Sequence, residues 1–132
     1  MSLSLPADVE PFLQDHHTFE RIRGPAVYCL SLSRPTDLAA EWDRTFEHRP
    51  DYWEELTDAN RVVYVGAAKD LLARLNDHHA GEKRKAALLE VCGIEGLRNV
   101  WWVNDPNRRF LEESQIATMM QNELGDTYVH SR

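Results

Sequence analysis

Two tyrosines, an arginine and a histidine have residue types and spacings that could do chemistry in this chain. Tyr28 lies in the run AVYCLSLS and Tyr64 in the run RVVYVG, and both runs are rich in strand-forming residues. If the two strands pair, both phenol groups reach one part of a sheet. Arg74 and His78 are four residues apart in a helical segment, so they project from neighbouring positions on one face.

A carboxylate completes the set of reactive groups. Glu112 and Glu113 lie early in the last predicted helix. A carboxylate can hold a hard divalent cation such as Mg²⁺ and leave its other positions to water and phosphate. An arginine can neutralise the charge that develops on a phosphate, and a tyrosine or histidine can help to deprotonate water. These groups together suit hydrolysis of a phosphodiester bond.

Each of these residues also has a purely structural interpretation. Tyr28 and Tyr64 could pack against a core with their hydroxyl groups in water, as strand tyrosines commonly do. Arg74 and His78 could form a solvated helix face. Glu112 could be an exposed acid favoured by the positive end of a helix. Only the joint pattern favours the functional interpretation.

The elements that would position these residues follow from the hydrophobic pattern. A small sheet covered by helices is the α+β arrangement that buries such faces, and we expect at least the first two strands to be antiparallel. Residues 34–60 form a helical insertion between these strands, broken at Pro50. The predicted strands are Ala26–Ser33, 61–66 and 97–104, and the later helices are 70–79, 83–92 and 107–124.

Two short motifs resemble those of the GIY-YIG nuclease domain family. Tyr64-Val65-Gly66 is similar to the second motif, and Ala26-Val27-Tyr28 is similar to the first, with alanine in place of the usual glycine. Leu71, Arg74 and His78 stand at the places where the family's next helix carries an apolar residue, an arginine and a histidine or tyrosine. The resemblance extends over residues 25–122.

The resemblance implies a fold, a metal and a reaction. The fold would be a small three-stranded antiparallel sheet flanked by helices, and the reaction would be hydrolysis of DNA with one Mg²⁺ or Mn²⁺ ion. Glu112, followed four residues later by Ile116, matches the family's metal-binding glutamate better than Glu113 does. Arg74 would contact the scissile phosphate and Tyr28 would activate or orient water, with assistance from Tyr64 and His78.

The chain also departs from the family pattern. Tyr28 and Tyr64 are farther apart than the family's short hairpin allows, and the 34–60 insertion between them carries a net negative charge. The proline and asparagine that follow the family's last helix have no clear counterpart, although Asn122 lies nearby. These departures keep open an alternative, in which the chain is a catalytically inactive nucleic-acid-binding or protein-interaction module derived from the nuclease.

Composition narrows the class of protein. The 132 residues predict a single domain, and a net charge of −7 argues against a general nucleic-acid coat protein. It leaves room for an enzyme that gathers its basic groups at one site, with DNA, including branched or damaged DNA, as the partner. A homodimer would let a one-metal domain cut both strands, although nothing in the sequence requires one.

Cysteine content and hydropathy predict the compartment. Cys29 and Cys92 make neither a disulfide framework nor a four-ligand zinc site, which fits a reducing cytoplasm. A zinc site built from His78, His79 and Cys92 is disfavoured, because these residues lack a recognised ligand spacing. The apolar runs are too short to span a bilayer, so no membrane association is expected.

Overall fold

The computed structural model describes residues 23–80 and 87–131, and for residues 76–80 it describes the backbone alone. A 3₁₀ turn, Pro106–Arg108, precedes the last helix. Residues 83–86 of the predicted 83–92 helix lie outside the described residues. In chain order the elements are β1 (Ala26–Ser33), α1 (Leu38–Thr45), α2 (Trp53–Asp58), β2 (Arg61–Ala68), α3 (Leu71–Ala80), α4 (Ala87–Val91), β3 (Gly93–Trp102), α5 (Arg109–Glu123) and β4 (Thr127–Ser131).

The sheet confirms the α+β class and corrects the predicted strand set. Within the described residues it has four strands in the order β3-β1-β2-β4. The three expected strands are antiparallel with β1 in the centre, whereas β4 runs parallel to β2. The sheet is therefore mixed rather than purely antiparallel.

The turn after α5 explains the unexpected strand. Asp126 has a positive φ of 52°, and its carbonyl accepts hydrogen bonds from the backbone N–H groups of Asn60 and Arg61 at 2.8 and 3.2 Å. The Gln121 side chain then donates to the Thr127 carbonyl at 2.8 Å and accepts from the Val129 N–H at 2.9 Å. These bonds hold β4 between β2 and the end of α5.

The two faces of the sheet bury different partners, because side chains alternate along each strand. Val27, Cys29 and Val65 face α5, where Ala117 and Met120 cover them. The opposite face carries Tyr28, Leu30 and Tyr64 and packs against the helices α1 to α4, which contribute Trp42, Leu56, Leu71, Leu72, Leu75, Leu88 and Leu89.

Polar contacts within the insertion hold its two ends and its helices together. Asp37 caps α1 by accepting from the Ala40 N–H at 3.0 Å, and Trp42 buries its ring beneath α1. The Arg34 guanidinium donates to the carbonyls of Leu56 and Asn60 at 2.8 and 3.1 Å. The helical segment predicted between the first two strands is thus a packed part of the domain.

Candidate active site

Tyr28 lies in the central strand, directly opposite Gly66 of β2. Its hydroxyl group occupies the space that a side chain at position 66 would fill: a Cβ there would lie 2.5 Å from the hydroxyl oxygen. Only glycine leaves this room. The second motif glycine therefore has a packing role, which is to let the Tyr28 phenol lie across β2.

Tyr64 lies two residues before Gly66, on the same face of the sheet as Tyr28. The two rings are 6.3 Å apart between centroids and inclined by 43°. A Cβ on Gly66 would also come within 2.9 Å of the Tyr64 Cε1 atom. The antiparallel register that the sequence predicted thus brings both tyrosines to one place.

Arg74 approaches the tyrosines from α3. Asp70 caps this helix by accepting from the Ala73 N–H at 3.1 Å, and its carboxylate also pairs with the Arg23 guanidinium at 2.8 Å. Leu71 and Leu75 pack into the core on either side of Arg74. The half-buried guanidinium is thereby directed at Tyr28, whose hydroxyl oxygen accepts a hydrogen bond from it.

Glu113, rather than Glu112, is the acid that the structure brings to this cluster. Glu113 is 3% exposed and lies on the buried face of α5 together with Ala117 and Met120, four and seven residues further on. Its charge is close enough to raise the pKa of Tyr28. Glu112 is one residue earlier, half-buried, and is not among the groups that perturb Tyr28.

The cavity beside Glu113 lies at the end of β4. Pairing between β4 and β2 stops at Val65, so Gly66 lies beyond the end of β4. There Glu113 lines a cavity of about 400 Å³ together with Phe110, Ser114 and Ser131. A cavity of this size has room for a phosphate group and several water molecules.

The environment of Tyr28 keeps its phenol protonated. Burial raises the pKa of Tyr28 far above its ordinary value, and the neighbouring Tyr64 and Glu113 raise it further. The charge of Arg74 and its hydrogen bond lower the pKa of Tyr28; each of these effects is smaller than those of burial and Tyr64 and larger than that of Glu113. At neutral pH this hydroxyl group is a hydrogen-bonding group and not a phenolate base.

His78 lies in the last turns of α3, and its side chain falls outside the described residues. The cluster consists of Tyr28, Tyr64, Arg74 and Glu113, and we refer to these four residues as the tyrosine cluster. Three of the four were predicted from the sequence. The signal for the fourth was available in the spacing of Glu113, Ala117 and Met120, which defines the apolar face of α5.

His130, which the sequence motifs did not single out, lies beside Tyr64. His130 of β4 pairs with Tyr64 of β2, and their rings stack at 6.0 Å with an interplanar angle of 27°. The Tyr128 hydroxyl and the His130 Nδ1 atom are hydrogen-bonded at 2.7 Å. Tyr52, from the insertion, covers both: its ring is 4.7 Å from His130 and 5.4 Å from Tyr128. Burial lowers the pKa of His130.

Glu113 supplies the carboxylate of the cluster, and carboxylate oxygen is a ligand that Mg²⁺ prefers. Mg²⁺ commonly takes one or two protein carboxylates and fills its other positions with water and phosphate, so the carboxylate of Glu113 beside an open cavity meets the minimum. Among the described residues, no group of three or more His, Cys, Asp or Glu side chains is placed to hold a metal ion. A fully protein-built metal cage is therefore not seen in this part of the chain.

Comparison with known proteins gives no relative. No protein-family model, no curated protein and no solved structure matches the chain. Among the described helices, none is both long and apolar enough to cross a membrane. The features of the chain that indicate a function are therefore the geometry of the tyrosine cluster and the sequence motifs that contain three of its residues.

Proposed function

We propose that this protein is a divalent-metal-dependent endonuclease of the GIY-YIG type, which hydrolyses phosphodiester bonds in DNA. One observation carries the proposal. Tyr28, Tyr64 and Arg74, which the motifs singled out from distant parts of the chain, lie together with a buried carboxylate.

The roles of the residues follow from their environments. Glu113 would hold a Mg²⁺ or Mn²⁺ ion, which when bound supplies positive charge at the scissile phosphate. Arg74 would neutralise the phosphate from the other side with its guanidinium. Tyr28, held as a neutral phenol by burial, would orient the attacking water by hydrogen bonding. Tyr64 would fix the position of Tyr28 by ring contact.

The chemistry is a simple displacement. The water oxygen forms a bond to phosphorus, one ester P–O bond breaks, and the products are a phosphomonoester and a free hydroxyl group. Because Tyr28 stays protonated, the proton released by the water must pass to bulk solvent or to the substrate. The role of His78 in this step stays a prediction from the resemblance.

A cleavage assay tests the proposal and also the choice of carboxylate. Purified protein is incubated with duplex, single-stranded and branched DNA, with and without Mg²⁺ or Mn²⁺. Glu113→Gln should abolish metal-dependent cleavage, and Glu112→Gln serves as the matched control that should retain it. Loss of activity in Glu112→Gln alone would place the metal site at Glu112, as the sequence predicts.

Burial favours a second candidate function, the inactive binding module. Tyr28, Tyr64 and Glu113 expose 0%, 3% and 3% of their surface, so this arrangement presents little of the cluster to a substrate. An inactive module would bind DNA or a protein without metal-dependent turnover. Folded protein that binds branched DNA but cuts none of the substrates with either metal would favour this function over the nuclease.

A further inference from the structure

Two β-bulges in β3 give the opposite end of the sheet an unusual set of side chains. The register of β1 against β3 shifts between Cys29 and Leu30, and again between Ser31 and Leu32. The residues of β3 left without a partner at these shifts are Arg98 and Glu95. A bulge turns the side chain of its extra residue away from the regular alternation, and bulges commonly re-aim side chains at functional sites.

Both bulge residues line one cavity of about 300 Å³. Arg61, the first residue of β2, and Ser31 of β1 lie on the same cavity, and Asn60 borders it. Aliphatic groups complete the lining, from Leu32, Val62 and Val63. None of these residues belongs to the tyrosine cluster, and the paired residues Ser31 and Val63 lie on the other face of the sheet from Tyr28 and Tyr64.

The two arginines of this cavity have no acidic partner among the described side chains. Within the described side chains, Arg23, Arg44 and Arg49 each pair with an aspartate or glutamate, whereas Arg61 and Arg98 form no ion pair. Two arginines against Glu95 leave a local excess of one positive charge in a chain whose net charge is −7.

The position of the Arg98 guanidinium supports a role inside the cavity. Burial raises the pKa of the Cys29 thiol to about 12, and the positive charge of Arg98 acts in the opposite direction. Arg98 belongs to the strand that pairs with β1, and it lines the same cavity as Ser31 of β1. A guanidinium in this position can donate hydrogen bonds into the cavity.

We propose that this cavity is a binding site for a phosphate ester, held between the guanidinium groups of Arg61 and Arg98. Guanidinium groups match phosphate oxygens in geometry and form charge-assisted hydrogen bonds with them. The Ser31 hydroxyl can donate a further bond, and Leu32, Val62 and Val63 can pack against the body of the ester. The volume is at the lower end of the range for small-molecule sites, which suits one phosphate with a small organic group.

Glu95 sets the selectivity of the site. Its carboxylate repels a doubly charged anion and favours a ligand that carries a hydrogen-bond donor next to its phosphate. A nucleotide has this chemistry, and its source could be a free mononucleotide or a nucleotide within a strand. The site does not depend on the proposed nuclease activity, since none of its lining residues belongs to the tyrosine cluster.

Binding measurements on the whole chain test this site. Inorganic phosphate, a mononucleotide and a short single-stranded oligonucleotide are titrated separately by calorimetry, with amide chemical shifts to place the site. We expect the mononucleotide to perturb residues around Ser31 and Arg98, and the Arg61→Gln and Arg98→Gln variants each to weaken binding by about tenfold, as loss of a charge-assisted hydrogen bond predicts. Glu95→Gln should strengthen binding of inorganic phosphate.

The control and the outcomes separate the sources of the ligand. Arg44→Gln removes the same charge from an exposed helix position and should leave the affinity unchanged. Equal affinity for mononucleotide and oligonucleotide assigns the site to a free phosphate ester, whereas much tighter oligonucleotide binding that both variants lose assigns it to a nucleic-acid strand. Three outcomes would overturn the proposal. They are chemical-shift changes spread over the whole surface, an equal loss of affinity in Arg44→Gln, and no saturable binding of any of the three ligands.

Discussion

Gly66 is the residue on which the arrangement of the two tyrosines depends. We expect Gly66→Ala to destabilise the fold by about 1–3 kcal/mol, because the new Cβ would collide with the Tyr28 hydroxyl and the Tyr64 ring. Any metal-dependent cleavage should fall by about a hundredfold, since the displaced phenol no longer orients water. Urea unfolding and a cleavage assay measure the two effects.

Gly125→Ala is the matched control for this change. A Cβ at Gly125 meets nothing within 4 Å, so this variant should keep both its stability and its activity. Wild-type stability in Gly66→Ala would show that the Tyr28 side chain is not held against β2.

Tyr28 leads to a prediction about the pH dependence of cleavage. Burial raises the pKa of Tyr28, so the phenol should not ionise over the range in which the protein is folded and active. Tyr28→Phe should therefore lower the cleavage rate by about a hundredfold at every pH, without removing an inflection from the pH–rate profile. Loss of an alkaline inflection in this variant would show instead that Tyr28 acts as a base.

The choice between Glu112 and Glu113 shows what the sequence could predict about the site. Adjacent helix positions are about 100° apart, so only one of the two acids can point to the sheet. The apolar residue Ile116 favoured Glu112, but Ala117 and Met120 are more deeply buried and turn Glu113 inward. The spacing of Glu113, Ala117 and Met120 was therefore the signal in the sequence that identifies the inward-facing acid.

At the scale of elements, the three antiparallel strands and a helical insertion of one or two helices were predicted, and β4 was not. The segment TYVHS is only five residues long, and its pairing with β2 joins positions far apart in sequence. Its alternation was a usable signal, with Thr127 and Val129 buried and Tyr128 and His130 on the other side. The hydrophobic pattern does not reveal the turn at Asp126 or the hydrogen bonds of Gln121. These two features direct the strand to the edge of the sheet.

The contact between β4 and the insertion should make the free energy of unfolding fall as the pH is lowered. His130 faces Tyr64 on β2, Tyr52 from the insertion and Tyr128 on its own strand, and the Glu55 carboxylate is near Tyr128. Burial holds the pKa of His130 below its ordinary value of 6.5, so the unfolded chain binds the proton more tightly than the folded protein does.

The sign of this effect follows from the proton balance. Above about pH 6.5 the His130 contribution is constant, and below it the free energy of unfolding should fall by up to about 1.4 kcal/mol per pH unit until the folded-state pKa is reached. Urea unfolding between about pH 7.5 and pH 5 measures this slope. His130→Gln should flatten it, whereas His48→Gln, at an exposed position, should not. An equal slope in wild type and His130→Gln would contradict the burial of a neutral imidazole.

At the scale of the whole molecule, the charge distribution predicts how the proposed nuclease would bind DNA. The chain has 22 acidic residues and 15 lysines and arginines, and several of its described arginines are already paired with acids. The proposed nuclease cannot rely on a broad basic surface. It must engage the phosphate backbone through a few arginines and through divalent cations that offset its own negative charge.

Salt dependence of binding tests this view directly. For about two phosphate contacts, counterion release predicts that affinity for duplex DNA falls by about tenfold between roughly 50 and 200 mM salt, against a loss of about a thousandfold or more for a protein with many contacts. The measurement uses the cleavage-deficient Glu113→Gln variant, with Arg74→Gln added to remove one contact, which should make the slope shallower by about one unit. The same variant carrying Arg44→Gln should keep its slope, because that arginine is paired on an exposed helix. A steep slope typical of six or more contacts would show that DNA is bound through a basic surface outside the tyrosine cluster.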